Sequence, residues 1–384
     1  MSSFELPEGI NYGIDVSPLA NAFSNVRNSY KFFFFLSLLD WFGNEFRSFS
    51  ELKIDIDWIA RRMASNAWYP AVYYGLSLGS QDGLGKKLLE LRNTLTSRGV
   101  RFTIAPQDAL RMPEAEELQE SFRVIAGRYV PYRFIRPFFA QELAQKSKRN
   151  VHRDIFDRAA ECGDGCPYRI FGTASRATAV EISPPWAAYL LTHQAILREW
   201  THLHLCRYLA RLNPFAVEIP QKVDAPQRKA LKAERNLVAA VVKFHLVKGA
   251  PIRCIYSDKE IEPNQFELDH FLPRAFVAHD RFWNLVPADP GVNSSKLASI
   301  PDDEYLPKLT AFHRTSIGFL LTSSLPKQTV SSFLMQYEND LALGVDEGTP
   351  SESTLLARYE GTVLPLMRTA RVYGFPEGWR YDLA

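Results

Sequence analysis

Apolar residues recur at helical spacing through most of the chain. Over Tyr30 to Phe42 they fill almost every position, including the run Phe32–Leu39 (FFFFLSLL). Asn28-Ser29 precede this run as a cap and Gly43-Asn44 follow it as a stop, which predicts a helix buried on all sides. The run is about half the length that a bilayer-spanning helix needs, so a core helix is expected and no membrane partner. Further amphipathic stretches predict helices over Asp55–Tyr74, Leu84–Leu95 and from Pro113 to Phe122. A long helix is expected over Trp186–Leu212, ended by Asn213-Pro214. Another runs from Asp224-Ala-Pro226 to Lys248-Gly249, with Pro just inside its start and Gly just past its end. Arg101–Ile104 reads as a short strand or an extended link and Glu161–Arg169 as a loop. The period changes late in the chain. Phe266–Leu272 alternates as a strand, Phe282–Pro287 reads as a second strand, and Asn293–Ser299 as the start of a helix.

Composition narrows the class without naming a function. The 384 residues are 46% apolar and 23% charged, which excludes a disordered, collagen-like or disulfide-scaffold chain. Four cysteines and no visible secretory leader lead to the expectation of a reducing, cytoplasmic setting. Cys162 and Cys166, with His202 and His204 downstream, are expected to be reduced structural residues rather than a zinc site.

The net charge of +2 conceals local asymmetry. Residues 222–253 carry eight Lys/Arg against two acidic residues, a balance of +6, while Glu114–Glu120 is acidic. A basic run of this kind is a solvated face or a phosphate-binding face. In Arg123–Arg136 (RVIAGRYVPYRFIR) basic and aromatic residues interleave. Such a pattern either tracks a nucleic-acid backbone or forms a Pro-broken connector with its rings packed inward.

The chemistry concentrates between Cys254 and Pro301. The predicted β–loop–β–helix order puts Asp269 and His270 on the first strand, Asn284 on the second and Asn293 on the helix. Phosphodiester hydrolysis needs a base for water, which an imidazole suits near neutral pH. It also needs a divalent cation to neutralise developing charge. Asp269 and Asn293 offer hard oxygen ligands for Mg²⁺ or Mn²⁺. Neighbouring residues of a regular strand point to opposite faces, so Asp269 and His270 must lie where the strand ends or distorts.

The segment DHFLPRAFVAHDRFWNLVPADPGVNSSK resembles the HNH nuclease motif of the ββα-metal superfamily. The preceding CIYSDKEI is similar to the lead-in of zinc-free HNH modules, including those of Cas9-type proteins. The resemblance implies that His270 activates water, that Asp269 and Asn293 hold the metal, and that Asn284 fixes the histidine loop. It implies Lys296 as a phosphate contact. Arg274, Arg253 and Lys248 are the further candidates for nucleic-acid binding. Zinc-bearing members carry two CxxC pairs, whereas here only Cys254 stands, with Ser257 at its partner's position and no cysteine in Asp289–Val292. No structural zinc is therefore expected in the module.

The expected fold class is α+β: a mainly helical protein carrying a ββα-metal (HNH) nuclease module. The expected regions are helical 1–122, basic and helical 123–249, the nuclease module 250–305 and helical 306–384. The expected function is a divalent-metal-dependent DNA endonuclease that nicks or cuts both strands. Stand-alone bacterial HNH proteins resemble phage-defence or restriction effectors, which implies an ATPase or other defence-system partner. The alternative is a nucleic-acid-binding or assembly subunit with an inert or partner-activated module. His279-Asp280 is a competing Asp-His pair expected to be loop structure, and Trp283 is expected to pack beneath the motif. Tyr12–Ser17 (YGIDVS) resembles the first acidic strand of RuvC-like nucleases. No matching His/Asp cluster follows, so a second nuclease domain is not expected.

Overall fold

The apolar run of the N-terminal half becomes α1 (Tyr30–Asn44), in which every residue from Phe32 to Phe42 is buried. In the computed structural model, which describes residues 5–101, 103–144, 150–226, 230–345 and 348–382, the chain divides into two compact units. Unit 1 is Met1–Ala225 and unit 2 is Pro226–Ala384.

Unit 1 is built around α1. Against it pack α2 (Ile56–Trp68), α5 (Val130–Ile135) and α8 (Gln194–Leu212), while α3 (Gly83–Ser97) and α4 (Pro113–Arg128) lie beside α2. Ser29 does not cap α1 with its side chain. Its hydroxyl and amide both donate to Asp82 at 2.7 Å, and Asp82 also accepts from Gly85 N at 2.9 Å to cap α3. One carboxylate thus ties two helix starts together.

Several expectations are corrected here. A three-stranded antiparallel sheet, ordered β1 (Lys53–Asp55), β3 (Arg176–Ile182), β2 (Tyr168–Thr173), stands where no strand was expected. Gly127 lets α4 touch this sheet, since a Cβ there would meet Ala177 O at 2.7 Å. The expected strand or extended link at Arg101–Ile104 is a turn around Thr103 and Ile104, with Phe102 outside the described residues. Trp68 Nε1 donates to Ile104 O at 3.1 Å, which binds that turn to α2 instead of to a sheet. Trp186–Leu212 is two helices, α7 (Pro184–Thr192) and α8, separated at His193. Cys162 and Cys166 form a disulfide. The 3-10 turn Gly163–Gly165 after α6 (Val151–Glu161) brings their Cα atoms to 6.2 Å, within disulfide reach. Tyr12–Ser17 is no strand, for a 3-10 turn ends at Tyr12 and a helix begins at Ser17.

Unit 2 contains α9 (Lys232–Val247), which begins after Leu231 and not at the expected Asp224–Pro226; Gln227–Lys229 lie outside the described residues. A tight knuckle follows at Cys254–Lys259, closed by Cys254 N to Lys259 O at 2.8 Å and Asp258 N to Cys254 O at 3.0 Å. Then come β4 (Glu267–His270), α10 (Arg274–Val277), β5 (Leu285–Ala288) and α11 (Pro290–Lys296). Strands β4 and β5 pair antiparallel, with Asp269 opposite Val286 and His270 opposite Leu285. Lys259 meets Asp289, the cap residue of α11, at 3.4 Å and so joins the knuckle to the helix start. The mainly helical α+β class expected from the sequence is the class observed. Among the described residues no helix is long and apolar enough to cross a membrane.

Three helices support the small sheet: α12 (Leu306–Thr322), α13 (Lys327–Leu341) and α14 (Glu352–Val372). Trp283 packs beneath the motif as expected, and its Nε1 donates to Asp340 at 2.8 Å while its carbonyl accepts from Tyr359 at 3.0 Å. The tail beyond α14 returns to the module through Ile300 N to Pro376 O at 2.7 Å and Trp379 N to Ile300 O at 3.0 Å.

His313 of α12 is fully buried, shares a 2.7 Å hydrogen bond with Tyr337 and stacks on Tyr359. Burial pulls its pKa down to about 3. The folded unit therefore holds it neutral, and protonation in the unfolded chain competes as pH falls below about 6.5. Unfolding titrations should show stability falling by about 2 kcal/mol between pH 6.5 and 5 from this group. That part of the slope should be absent in His313→Phe.

Candidate active site

Glu267 and Asp269 are two residues apart on β4 and so face the same side of the strand. Helix α11 lies behind that side and meets both. Asn293 Nδ2 donates to Glu267 Oε2 at 2.6 Å, and three residues on, Lys296 Nζ approaches Asp269 Oδ1 at 3.2 Å and Oδ2 at 3.1 Å. The same ammonium donates to His270 O at 2.6 Å. Tyr256 Oη donates to Asp269 Oδ2 at 2.7 Å. Burial, with the Asp269 charge adding to it, holds the Tyr256 hydroxyl well above its ordinary pKa, so it stays a donor. Burial also lowers the Lys296 pKa, against the opposing pull of Asp269.

Lys296 is 0% exposed. The resemblance implied a phosphate contact there, but its ammonium is spent inside the unit on Asp269 and His270 O. A buried charge without a partner is costly, and this pairing satisfies both ions.

His270 is the last residue of β4, where the strand ends as the adjacent Asp-His pair requires. Its side chain is turned to a different partner. His270 Nε2 lies 2.8 Å from Asp280 Oδ1, and Arg274 grips the same carboxylate through Nε at 2.7 Å and Nη2 at 3.3 Å. Burial alone would raise the Asp280 pKa, but the hydrogen bonds from His270 and Arg274 hold it well below the usual carboxylate range. An ionised carboxylate can only accept. In the neutral ring Nε2 therefore carries the proton, and Nδ1 keeps the free lone pair.

Asn284 ends the 3-10 turn Phe282–Asn284 and is fully buried. Its side chain accepts from Leu272 N at 2.8 Å and donates to Leu272 O at 3.0 Å, while its carbonyl accepts from Phe271 N at 2.8 Å. Both residues that follow His270 are held by this one asparagine.

The other basic candidates are dispersed. Arg274 is committed to Asp280, and Arg253 donates to Glu260 at 2.7 Å and to Asp258 O at 2.9 Å. Lys248 is exposed with its ammonium 4.0 Å from the Phe244 ring centre. Within the 222–253 stretch, Lys222 is buried in unit 1, Arg228 and Lys229 lie outside the described residues, and Arg235 donates to Phe266 O at 2.8 Å. Lys232, Lys243 and Lys248 remain as exposed lysines on and just beyond α9.

Sequence reasoning missed three residues of this constellation: Glu267, Tyr256 and Asp280. Glu267 was legible as the second carboxylate on the Asp269 face of the strand. Asp280 belonged to the pair set aside as loop structure. Its neighbour His279 packs against Trp283, and burial, with nearby Arg281, pulls its pKa down to about 4.

The donor set suits a hard divalent cation. A carboxylate has about four lone-pair directions, of which Tyr256 and Lys296 occupy up to three on Asp269. Asn293 donates its NH₂ to Glu267, which turns its amide oxygen away from that carboxylate. Asp269, Asn293 and Glu267 thus present oxygen atoms only, the preference of Mg²⁺ and Mn²⁺. Among the described residues no three His, Cys, Asp or Glu side chains converge as a closed metal cage. A two- or three-ligand site completed by water and phosphate is what this set can make.

No curated protein and no solved structure matches the chain. One family model does, over residues 254–302, and it is described as HNH endonuclease. Those residues run from the knuckle to just past α11 and contain Asp269, His270, Asn284 and Asn293. Over residues 254–302 the chain is thus similar to HNH endonucleases, and the match supports an HNH-type nuclease module there.

Proposed function

We propose that this protein is a divalent-metal-dependent DNA endonuclease in which His270 is the general base. The observation that carries the reading is the His270–Asp280–Arg274 chain at the end of β4, where the strand stops directly after Asp269 and in the same module as Asn293. Water placed against Nδ1 loses its proton to the imidazole as its oxygen attacks phosphorus. The bond to the 3′-oxygen breaks in line and that oxygen takes a proton from solvent, leaving a 5′-phosphate and a 3′-hydroxyl, while the imidazole returns its proton to solvent. Asp280 holds the ring and its tautomer, and Arg274 neutralises Asp280 so that the pair does not repel the phosphate. Asn284 positions the histidine loop. Asp269 and Asn293 hold Mg²⁺ or Mn²⁺, with Glu267 orienting the Asn293 amide. When bound, the cation supplies charge neutralisation for the phosphate and the leaving oxygen. Lys296 keeps Asp269 in place and does not itself contact phosphate.

A single module cuts one strand at a time, so a monomer nicks. By resemblance of layout, the setting is bacterial restriction or phage defence in the cytoplasm, beside a partner such as an ATPase. One observation favours the alternative, a nucleic-acid-binding or assembly subunit with an inert or partner-activated module. Lys296 and Tyr256 already engage Asp269, which competes with metal for that carboxylate. Mn²⁺ binding followed by calorimetry, together with plasmid nicking, separates the two readings. Binding without nicking under any cation supports the alternative.

His270→Ala should lower the nicking rate of supercoiled plasmid by at least about 100-fold while the protein stays folded. A folded variant of full activity would sink the mechanism. Asp280→Ala should lower kcat by about tenfold or more with KM nearly unchanged, because only the ring's orientation and tautomer are lost. Lys296→Met should cost about 3–5 kcal/mol of unit 2 stability by leaving Asp269 uncompensated. It should leave the salt dependence of DNA binding unchanged, whereas loss of a phosphate contact would reduce it.

A further inference from the structure

The basic and aromatic segment Arg123–Arg136 is not used by the module, and its fate in unit 1 is specific. Its larger rings turn inward: Tyr132 and Phe134 are buried, and Tyr132 Oη donates to Thr173 O. Its arginines turn outward. Arg128 ends α4, Arg133 and Arg136 lie on and just after α5, and all three are exposed. Half-buried Tyr129 sits among them, with its ring centre 5.1 Å from the Arg128 guanidinium and 4.8 Å from that of Arg133. His152 of α6 lies 5.7 Å from Tyr129 and stacks on Tyr132 at 5.1 Å.

Other arginines of unit 1 carry carboxylates: Arg62 and Arg198 share Asp40, and Arg123 and Arg176 share Glu120. Among the described residues, no carboxylate lies within ion-pair distance of Arg128, Arg133 or Arg136. Lys31 stands close by, its ammonium donating to Ala22 O at 2.8 Å and, among the described residues, to no carboxylate. Burial first, and then Arg136 and Arg133, pull the Lys31 pKa down to about 8, and burial and the same two arginines lower His152. Cations gathered without a counter-charge repel one another, and a polyanion from outside relieves that repulsion. Guanidinium forks match phosphate oxygens in twos. The surface offers no exposed large apolar side chain to enter a bilayer, which separates it from a lipid-binding face.

We propose that the face formed by Arg128, Arg133 and Arg136 around Tyr129 is a docking surface for the phosphate backbone of nucleic acid. The inference rests on the nuclease reading only for the choice of nucleic acid as the polyanion. It gives unit 1 a role in holding DNA, separate from the cutting module.

The test uses the full chain carrying His270→Ala, with EDTA present, and fluorescence anisotropy of a labelled DNA duplex across a salt series. Arg128→Ala/Arg133→Ala/Arg136→Ala should raise Kd by about tenfold or more and reduce the salt slope by about two to three, since each phosphate contact contributes roughly 0.9. Lysine at all three positions should restore most of the slope, which also guards against misfolding as the cause. An unchanged Kd and slope would overturn the proposal. So would loss of binding on Lys232→Ala/Lys243→Ala/Lys248→Ala with no effect of the arginine variant, or binding confined to vesicles of anionic lipid. Nicking is scored separately with His270 intact. A chain that binds through the arginines but never nicks refutes the nuclease reading and leaves the docking surface standing.

Discussion

The Lys296 ammonium lies inside unit 2, touching both oxygens of Asp269 and the carbonyl of His270. That contact pins helix α11 to strand β4 at the two residues on which the proposed chemistry depends. Three residues earlier on the helix, Asn293 meets Glu267, two residues earlier on the strand. The two contacts define one register between helix and strand, and any slip would leave a charge buried without its partner. Tyr256 adds a third constraint from the knuckle side. The arrangement explains how a module of some fifty residues surrounds a nearly dry carboxylate with hydrogen-bond donors.

Outward from this centre, the rest of unit 2 acts as support. Tyr256 packs edge-on against Tyr305 at 5.0 Å and Trp379 at 5.3 Å, so the C-terminal tail reaches Asp269 through one ring. Trp283, directly before Asn284, is fastened to α13 by Asp340 and to α14 by Tyr359. The helices after the module therefore hold the asparagine that holds the histidine loop. An ion pair between Lys259 and Asp289 links the knuckle to the start of α11.

Much of this was legible before any coordinates. The helix of Phe32–Leu39 and the first short strand follow from periodicity, because burial on one or all faces leaves a repeat in the sequence. The second strand instead begins at Leu285, after the 3-10 turn Phe282–Asn284, and α11 spans Pro290–Lys296 where a helix was expected to start at Asn293. The DH…N…N order was legible because the chemistry restricts the residue types. What was missed has a common cause. The sheet in unit 1 and the split between α7 and α8 depend on partners far away in sequence, such as Lys53 opposite Glu181. Pairing across such distances leaves little local trace. Asp280 was passed over because, beside His279, it reads as a loop pair, and only the fold brings it to His270.

Residue type and order alone determined that the chain carries a mainly helical fold with a short β–β–α segment, and the resemblance to HNH modules within that segment singled out Asp269, His270, Asn284 and Asn293. Tertiary structure decided the direction in which each charge points. Lys296 and Arg274 are cations that pattern reading assigns to phosphate, and the fold turns both inward onto carboxylates. Arg128, Arg133 and Arg136 sit in a segment that pattern reading left open, and the fold leaves them outside while it buries their neighbouring rings. A sequence specifies how much charge a segment carries. Whether that charge meets a carboxylate or solvent depends on which distant residue packs beside it, and only the folded chain sets that distance.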